Sequence, residues 1–306
     1  MLAVLEAFTV ITAVIGVGGV VGRTDVLGAG ARTTLNRTAF YIGMPALMLL
    51  TLGGTEPSQV FSPILMISAV SALAVFALYF AIATRVLKRS RGEAAIGASA
   101  ASVVNAGNLG LPLSAYLFGN SHVVAAVILF QYLVLVPLCL AVLGAETAVR
   151  PTVRERVVAL VRTPVVVASL AGIGLSVSGY QLPNLLGDTL ELVGALAIPT
   201  VLLGFGMSLS SREQRPPRAP TSDLILAVVC KVVLMPLAAY ALAQWCFDAD
   251  AQQVTLATVL AALPSAQNVN TYAAVHGRGE GLARDATLIT TILSVGTIAC
   301  IVGVLG

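Results

Sequence analysis

The run Asn105-Ala106-Gly107-Asn108-Leu109-Gly110-Leu111-Pro112-Leu113-Ser114 carries the strongest chemical signal in the chain, and Pro264-Ser265-Ala266-Gln267-Asn268-Val269-Asn270-Thr271-Tyr272 repeats its character. Both lie inside long apolar segments, where glycine costs about 1 kcal/mol against alanine and proline removes a backbone donor. Each run predicts a helix that breaks and restarts. Superposing Phe118-Gly119 on His276-Gly277 brings Pro112 onto Asn270, so the restarts are expected at Pro112 in a first turn and at Asn270 as an N-cap. A restarting helix turns its positive dipole end and unpaired N–H groups toward what precedes it, which suits an anion, most naturally a carboxylate. Asn105, Asn108, Pro112, Ser265, Asn268 and Asn270 are the expected binding residues. The competing reading makes the asparagines interhelical glue and the prolines kinks.

Two further polar residues fall deep in apolar runs, Lys231 and Gln131. A lysine there costs at least about 2.5–3.5 kcal/mol unless paired or hydrated. Three readings stand open for it: snorkelling to the headgroups, direct compensation of an anion, or bracing the break through Asn105 or backbone carbonyls. Gln131 reads as a support residue or as simple hydrogen-bonding glue. No acid lies deep in any apolar run, which argues against a buried-carboxylate proton relay. The four cysteines (Cys139, Cys230, Cys246, Cys300) lack metal-ligand spacing, and no cofactor is expected. The identity of any coupling ion, sodium or proton, is left open.

The elements that must position these residues follow from composition. Of 306 residues, 58% are hydrophobic and 10% charged, against about 25% charged in soluble domains. Mean hydropathy is +0.94. A span needs about 20 apolar residues, and ten such runs lie near 2–22, 36–52, 61–84, 94–119, 121–145, 164–180, 188–210, 222–246, 253–275 and 286–305. An all-α integral membrane protein is expected, in the cell (plasma or inner) membrane. Arg23, Arg32 and Arg37 mark the first connector, and Arg85, Lys88, Arg89 and Arg91 the third. Arg150, Arg154, Arg156 and Arg162 mark the fifth, Arg212, Arg215 and Arg218 the seventh, and Arg278 and Arg284 the ninth. The other connectors carry no Lys or Arg, so these odd connectors are read as cytoplasmic and both termini as outside. The net charge of +3 gives no argument for nucleic acid.

Ten helices divide into two fives, and an odd number per half inverts one half against the other. Gly43-Met44-Pro45-Ala46-Leu47 in the second run and Ala197-Ile198-Pro199-Thr200-Val201 in the seventh each hold one mid-helix proline. Glycines 16, 18, 19 and 22, and the hydroxyls Thr287, Thr290, Thr291, Ser294 and Thr297, read as close packing faces. There is no His-Glu-x-x-His, no Gly-x-Ser-x-Gly and no P-loop, so an enzyme is not expected.

Asn-x-Gly-Asn-x-Gly-Leu-Pro-Leu at 105–113, Leu-Pro-x-Ala-x-Asn at 263–268 and Lys231-x-x-x-x-Pro236 resemble the auxin efflux carrier family, over essentially the whole chain. The resemblance implies inverted five-helix repeats over residues 1–145 and 164–306, joined by a cytoplasmic linker at 146–163, and an architecture related to sodium–bile acid symporters. It implies a scaffold of helices 1, 2, 6 and 7, a moving unit of 3–5 and 8–10, and a substrate site where broken helices 4 and 9 cross near the membrane middle. Elevator-type transport of a small organic anion (a mono- or dicarboxylate, auxin-like or malonate- or malate-like), often as a homodimer through the scaffold, follows from it. Lys231 and Gln131 take supporting roles in that picture. The plant exporters have proline where this chain has Asn270, and a long cytoplasmic loop that this chain lacks, which points away from auxin itself. The alternatives are an anion channel and a sodium-coupled importer.

Overall fold

Backbone groups deprived of water must pair along their own segment, and the apolar runs accordingly become helices. The computed structural model describes residues 2–305 apart from 29, 61, 119–121, 146–151, 153, 156–157, 159–161 and 211–217. Most of the expected linker, with Glu146, Arg150, Arg156, Arg212, Arg215 and Gly119, lies outside the described residues. In chain order the longer helices are α1 (Leu2–Thr24), α2 (31–53), α3 (Pro63–Arg85), α4a (Arg91–Ser102), α4b (106–118), α5 (122–145) and α6 (Pro164–Ser178), with one short turn of helix at Pro57–Val60 before α3. They continue as α7 (184–210), α8 (221–245), α9a (Ala251–Ala262), α9b (Asn268–His276) and α10 (Glu280–Leu305). Pro63–Arg85, His122–Leu143, Asn184–Met207, Thr221–Trp245 and Glu280–Leu305 are long and apolar enough to cross a membrane.

Prolines shape these helices in a regular way. Four π turns occur among the described residues, at Ala39–Gly43, Ala106–Gly110, Gln131–Leu135 and Cys230–Leu234. A proline stands two residues after the end of each: Pro45, Pro112, Pro137 and Pro236. A proline ring collides with the carbonyl four residues earlier and offers that carbonyl no N–H. Widening the preceding turn moves the carbonyl aside. Pro199 follows a two-residue turn at 195–196 instead.

The corner between α3 and α4a recurs between α8 and α9a at a constant offset of 160 residues (Ile82 to Leu242). Val86 and Leu87 N–H donate to Ile82 O and Arg89 N–H to Ala83 O; Cys246 and Phe247 N–H donate to Leu242 O and Ala249 N–H to Ala243 O. Lys88 and Asp248 both take positive φ, 56° and 48°. Capping boxes then open both half-helices, Ser90 with Glu93 and Asp250 with Gln253. This register aligns Asn108 with Asn268 and corrects the expected superposition of Pro112 on Asn270, which was anchored on helix ends rather than on the corners.

Packing sorts the helices into two groups. α1 lies along α7, and α2 lies against α6 and α7. α3 packs on α4a and α8, and α9a on α8 and α10. Glycines set the closeness of the first group: a Cβ on Gly18 would collide with the Leu203 carbonyl, and one on Gly22 would sit 2.9 Å from Met207 Cα. Gly16, read as part of the same face, meets nothing within 4 Å. A Cβ on Gly206 would strike the Ile15 carbonyl oxygen, which no rotamer change relieves. Gly206→Ala is therefore expected to lose about 1–3 kcal/mol or more. A lowered melting temperature in detergent checks this, and an unchanged one would refute the contact. In the second group, Arg89 grips the buried Asp223 at the start of α8 (Nε–Oδ1 3.0 Å, Nη2–Oδ2 2.9 Å). Those bonds raise the Arg89 pKa above its ordinary value.

Candidate functional site at the crossing of the two breaks

Breaking a helix frees backbone groups that must find partners elsewhere. Here each break supplies the other. Val104 and Ser265 form an antiparallel bridge, in which Asn105 N–H donates to Pro264 O (2.8 Å) and Ala266 N–H to Val103 O (2.9 Å). Side chains satisfy the groups left over. Gln131 Oε1 accepts from Val104 N–H at 2.8 Å, and Thr290 Oγ1 accepts from Ser265 N–H at 3.1 Å.

The last carbonyls of a helix have no donor within it, and a cation there also meets the negative end of the dipole. Ser265 Oγ donates to Ala100 O near the end of α4a. Lys231 Nζ donates to Ala261 O near the end of α9a at 2.6 Å, with Met235 Sδ at 3.2 Å. Lys231 is 0% exposed. This burial argues against snorkelling, and the bond to Ala261 O is of the kind that the bracing reading expects. Direct contact with a bound anion is not supported, since Lys231 is absent from the cavity wall.

The helices restart earlier than the prolines suggest. α4b begins at Ala106 with Asn105 in the N-cap position, and Leu109 and Gly110 N–H converge on Asn105 O at 3.1 Å each. α9b begins at Asn268 after Gln267, so Asn270 is its third residue rather than its cap. The expected restarts at Pro112 and Asn270 are corrected accordingly. The unwound stretches are short, residues 103–105 and 263–267, and Pro112 is absorbed by the π turn before it.

An open cavity of about 1690 Å³ reaches the crossing. Asn105, Asn108, Gln131, Asn268 and Asn270 line it; Pro112 and Ser265, also expected there, do not. Ser265 is buried in the bridge, and Pro112 is buried within α4b. Asn268 Nδ2 donates to Tyr132 Oη at 3.2 Å, Asn270 Nδ2 to Thr287 Oγ1 at 3.3 Å, and Asn108 Nδ2 to Gln267 Oε1 at 3.4 Å. Asn105 differs. Its side-chain amide nitrogen is buried and has no hydrogen-bond partner among the described residues. Tyr132, Gln267, Thr287 and Thr290 were not picked out as site residues by sequence. The first directly follows Gln131, and the two threonines belong to the hydroxyl face of α10, where they back the second break.

Helices of membrane-crossing length around an open cavity that reaches two paired breaks are the architecture of a transport-type membrane protein. The family described as "Membrane transport protein" matches residues 3–155 and 147–302. The chain belongs to this family, the auxin efflux carriers, and is a multi-pass membrane protein. It is 26% identical over 272 residues to a Rhizobium meliloti (strain 1021) protein named "Putative malonate transporter", covering 86% of this chain and 84% of that one.

Proposed function

We propose that this protein is a secondary transporter of a small organic anion, a mono- or dicarboxylate of malonate-like size, working by elevator-type alternating access. One observation carries the reading: the buried, unpartnered amide of Asn105, on the cavity wall where α4b restarts. An unsatisfied buried donor costs about 1–3 kcal/mol, and a carboxylate beside it would satisfy both that amide and the first-turn N–H groups of α4b. The malonate in the relative's name agrees with this chemistry.

In this reading α1, α2, α6 and α7 form the scaffold, and α3–α5 with α8–α10 carry the site in two inverted repeats. The glycine-tight contacts of the first group and the recurring corner of the second support that division. Asp25, Gly28 and Gly30, Arg218, and Glu280 line the cavity, all in or beside basic connectors. If those connectors are cytoplasmic, the cavity opens inward and both termini lie outside.

Reconstitution in liposomes tests the function. Saturable [14C]malonate uptake, accelerated by malonate trapped on the far side, is expected of a carrier. A conductance that does not saturate would make the protein a channel, and absence of flux for all mono- and dicarboxylates would overturn the reading. Repeating the uptake with and without a sodium gradient separates a sodium-coupled importer from a uniporter or exchanger.

A further inference from the structure

The cavity has a second wall that the crossing does not account for. On α2, Arg37, Phe40, Tyr41 and Met44 share one face at helical spacing and all line the cavity. Met44 touches the first break, since a Cβ on Gly107 would lie 3.1 Å from Met44 Cε. Phe40 packs toward Tyr132, with ring centroids 6.3 Å apart, and Tyr132 accepts from Asn268. A line of contacts thus runs from the asparagines at the crossing to α2, and Arg37 lies one turn beyond Phe40. Seven residues separate Arg37 from Met44, about 10 Å of helix, and an extended arginine side chain covers more than half of that.

Arg37 is exposed to the cavity, and no hydrogen bond or ion pair engages it among the described residues. Arg32, Arg218 and Arg284 also line the cavity, and Arg284 pairs with its neighbour Asp285 at 2.6 Å. Asp285 also accepts from Ala219 N–H at 3.2 Å. The remaining acids on the wall, Asp25 and Glu280, stand at the end of α1 and the start of α10.

Resting on the transporter reading above, we propose that Arg37 is a specificity-determining residue that binds the second carboxylate of a short dicarboxylate whose first carboxylate sits at Asn105. Its planar, permanently charged fork matches a carboxylate in two parallel hydrogen bonds. A monocarboxylate would be held by the crossing alone. A dicarboxylate would bridge α2 to α4b and so to both packing groups.

The test compares malonate and succinate with propionate and butyrate, in which a methyl replaces one carboxylate, by competition against transport in liposomes. In the wild type, the dicarboxylates should compete at least tenfold better than their monocarboxylate partners. Arg37→Gln should remove that preference and leave propionate and butyrate unchanged, while Arg37→Lys should restore part of it. Arg218→Gln, at a lining residue of the connector before α8, should alter both classes alike. Four results overturn the inference: a wild type that prefers monocarboxylates, an Arg37→Gln variant that keeps the preference, one that loses both classes equally, or an Arg218→Gln variant that matches Arg37→Gln. If the wild type moves none of the four acids, the transporter reading itself fails and the inference falls with it.

Discussion

Asn105→Ala is expected to abolish high-affinity anion binding while leaving the fold as stable as before. The two halves of this expectation come from different atoms of one residue. The backbone N–H and carbonyl of Asn105 hold the bridge and the restart of α4b, and alanine retains both. The side-chain amide nitrogen has no partner among the described residues. Removing a buried donor without a partner relieves a cost rather than adding one. A hydrogen bond to a charged ligand contributes about 1.5–3 kcal/mol, so affinity should fall roughly ten- to over a hundredfold. Thermal melting with and without malonate reads both quantities. An unchanged ligand-induced shift would remove Asn105 from the site, and a collapse of the unliganded melting temperature would make its role structural.

Lys231→Met should do the reverse. The substitution keeps the volume of the stem and deletes the ammonium group that caps Ala261 O. That carbonyl then stands in a dry interior without a donor, at the negative end of α9a, and loses its hydrogen bond. The expected cost is about 1–3 kcal/mol of stability. The maximal transport rate should fall steeply, because the carbonyl belongs to the crossing. KM for the anion should be unaffected, since Lys231 is not on the cavity wall. A raised KM with an unchanged melting temperature would return Lys231 to the role of direct charge compensation.

Much of the architecture is legible in the residues. Apolar run lengths mark the helices, and the clusters of asparagine and proline, with two glycines in the first, mark both breaks to within a few residues. The asparagines were expected as ligands because they are the polar residues nearest the breaks, and four of the six expected residues do line the cavity. What sequence could not supply is the partner across space. Gln131 and Thr290 serve backbone N–H groups in other segments, and only the fold brings them there. The prolines misled in a specific way. Pro112 looks like a restart because proline favours a first turn, whereas the π turn lets it sit deeper in a helix already under way. The shared corner of α3–α4a and α8–α9a is not legible in residue types because it is written in backbone conformation: Lys88 and Asp248 share a positive φ and no chemistry.

The bridge between Val104 and Ser265 is made of main-chain atoms, and this bears on how such a site can diversify. Asn105 N–H to Pro264 O and Ala266 N–H to Val103 O persist whatever side chains those residues carry, provided that residues 105 and 266 keep an N–H. The frame is therefore inherited separately from the groups displayed on it. A lineage could exchange Asn108, Asn268 or Asn270 and change its cargo while the crossing kept its geometry.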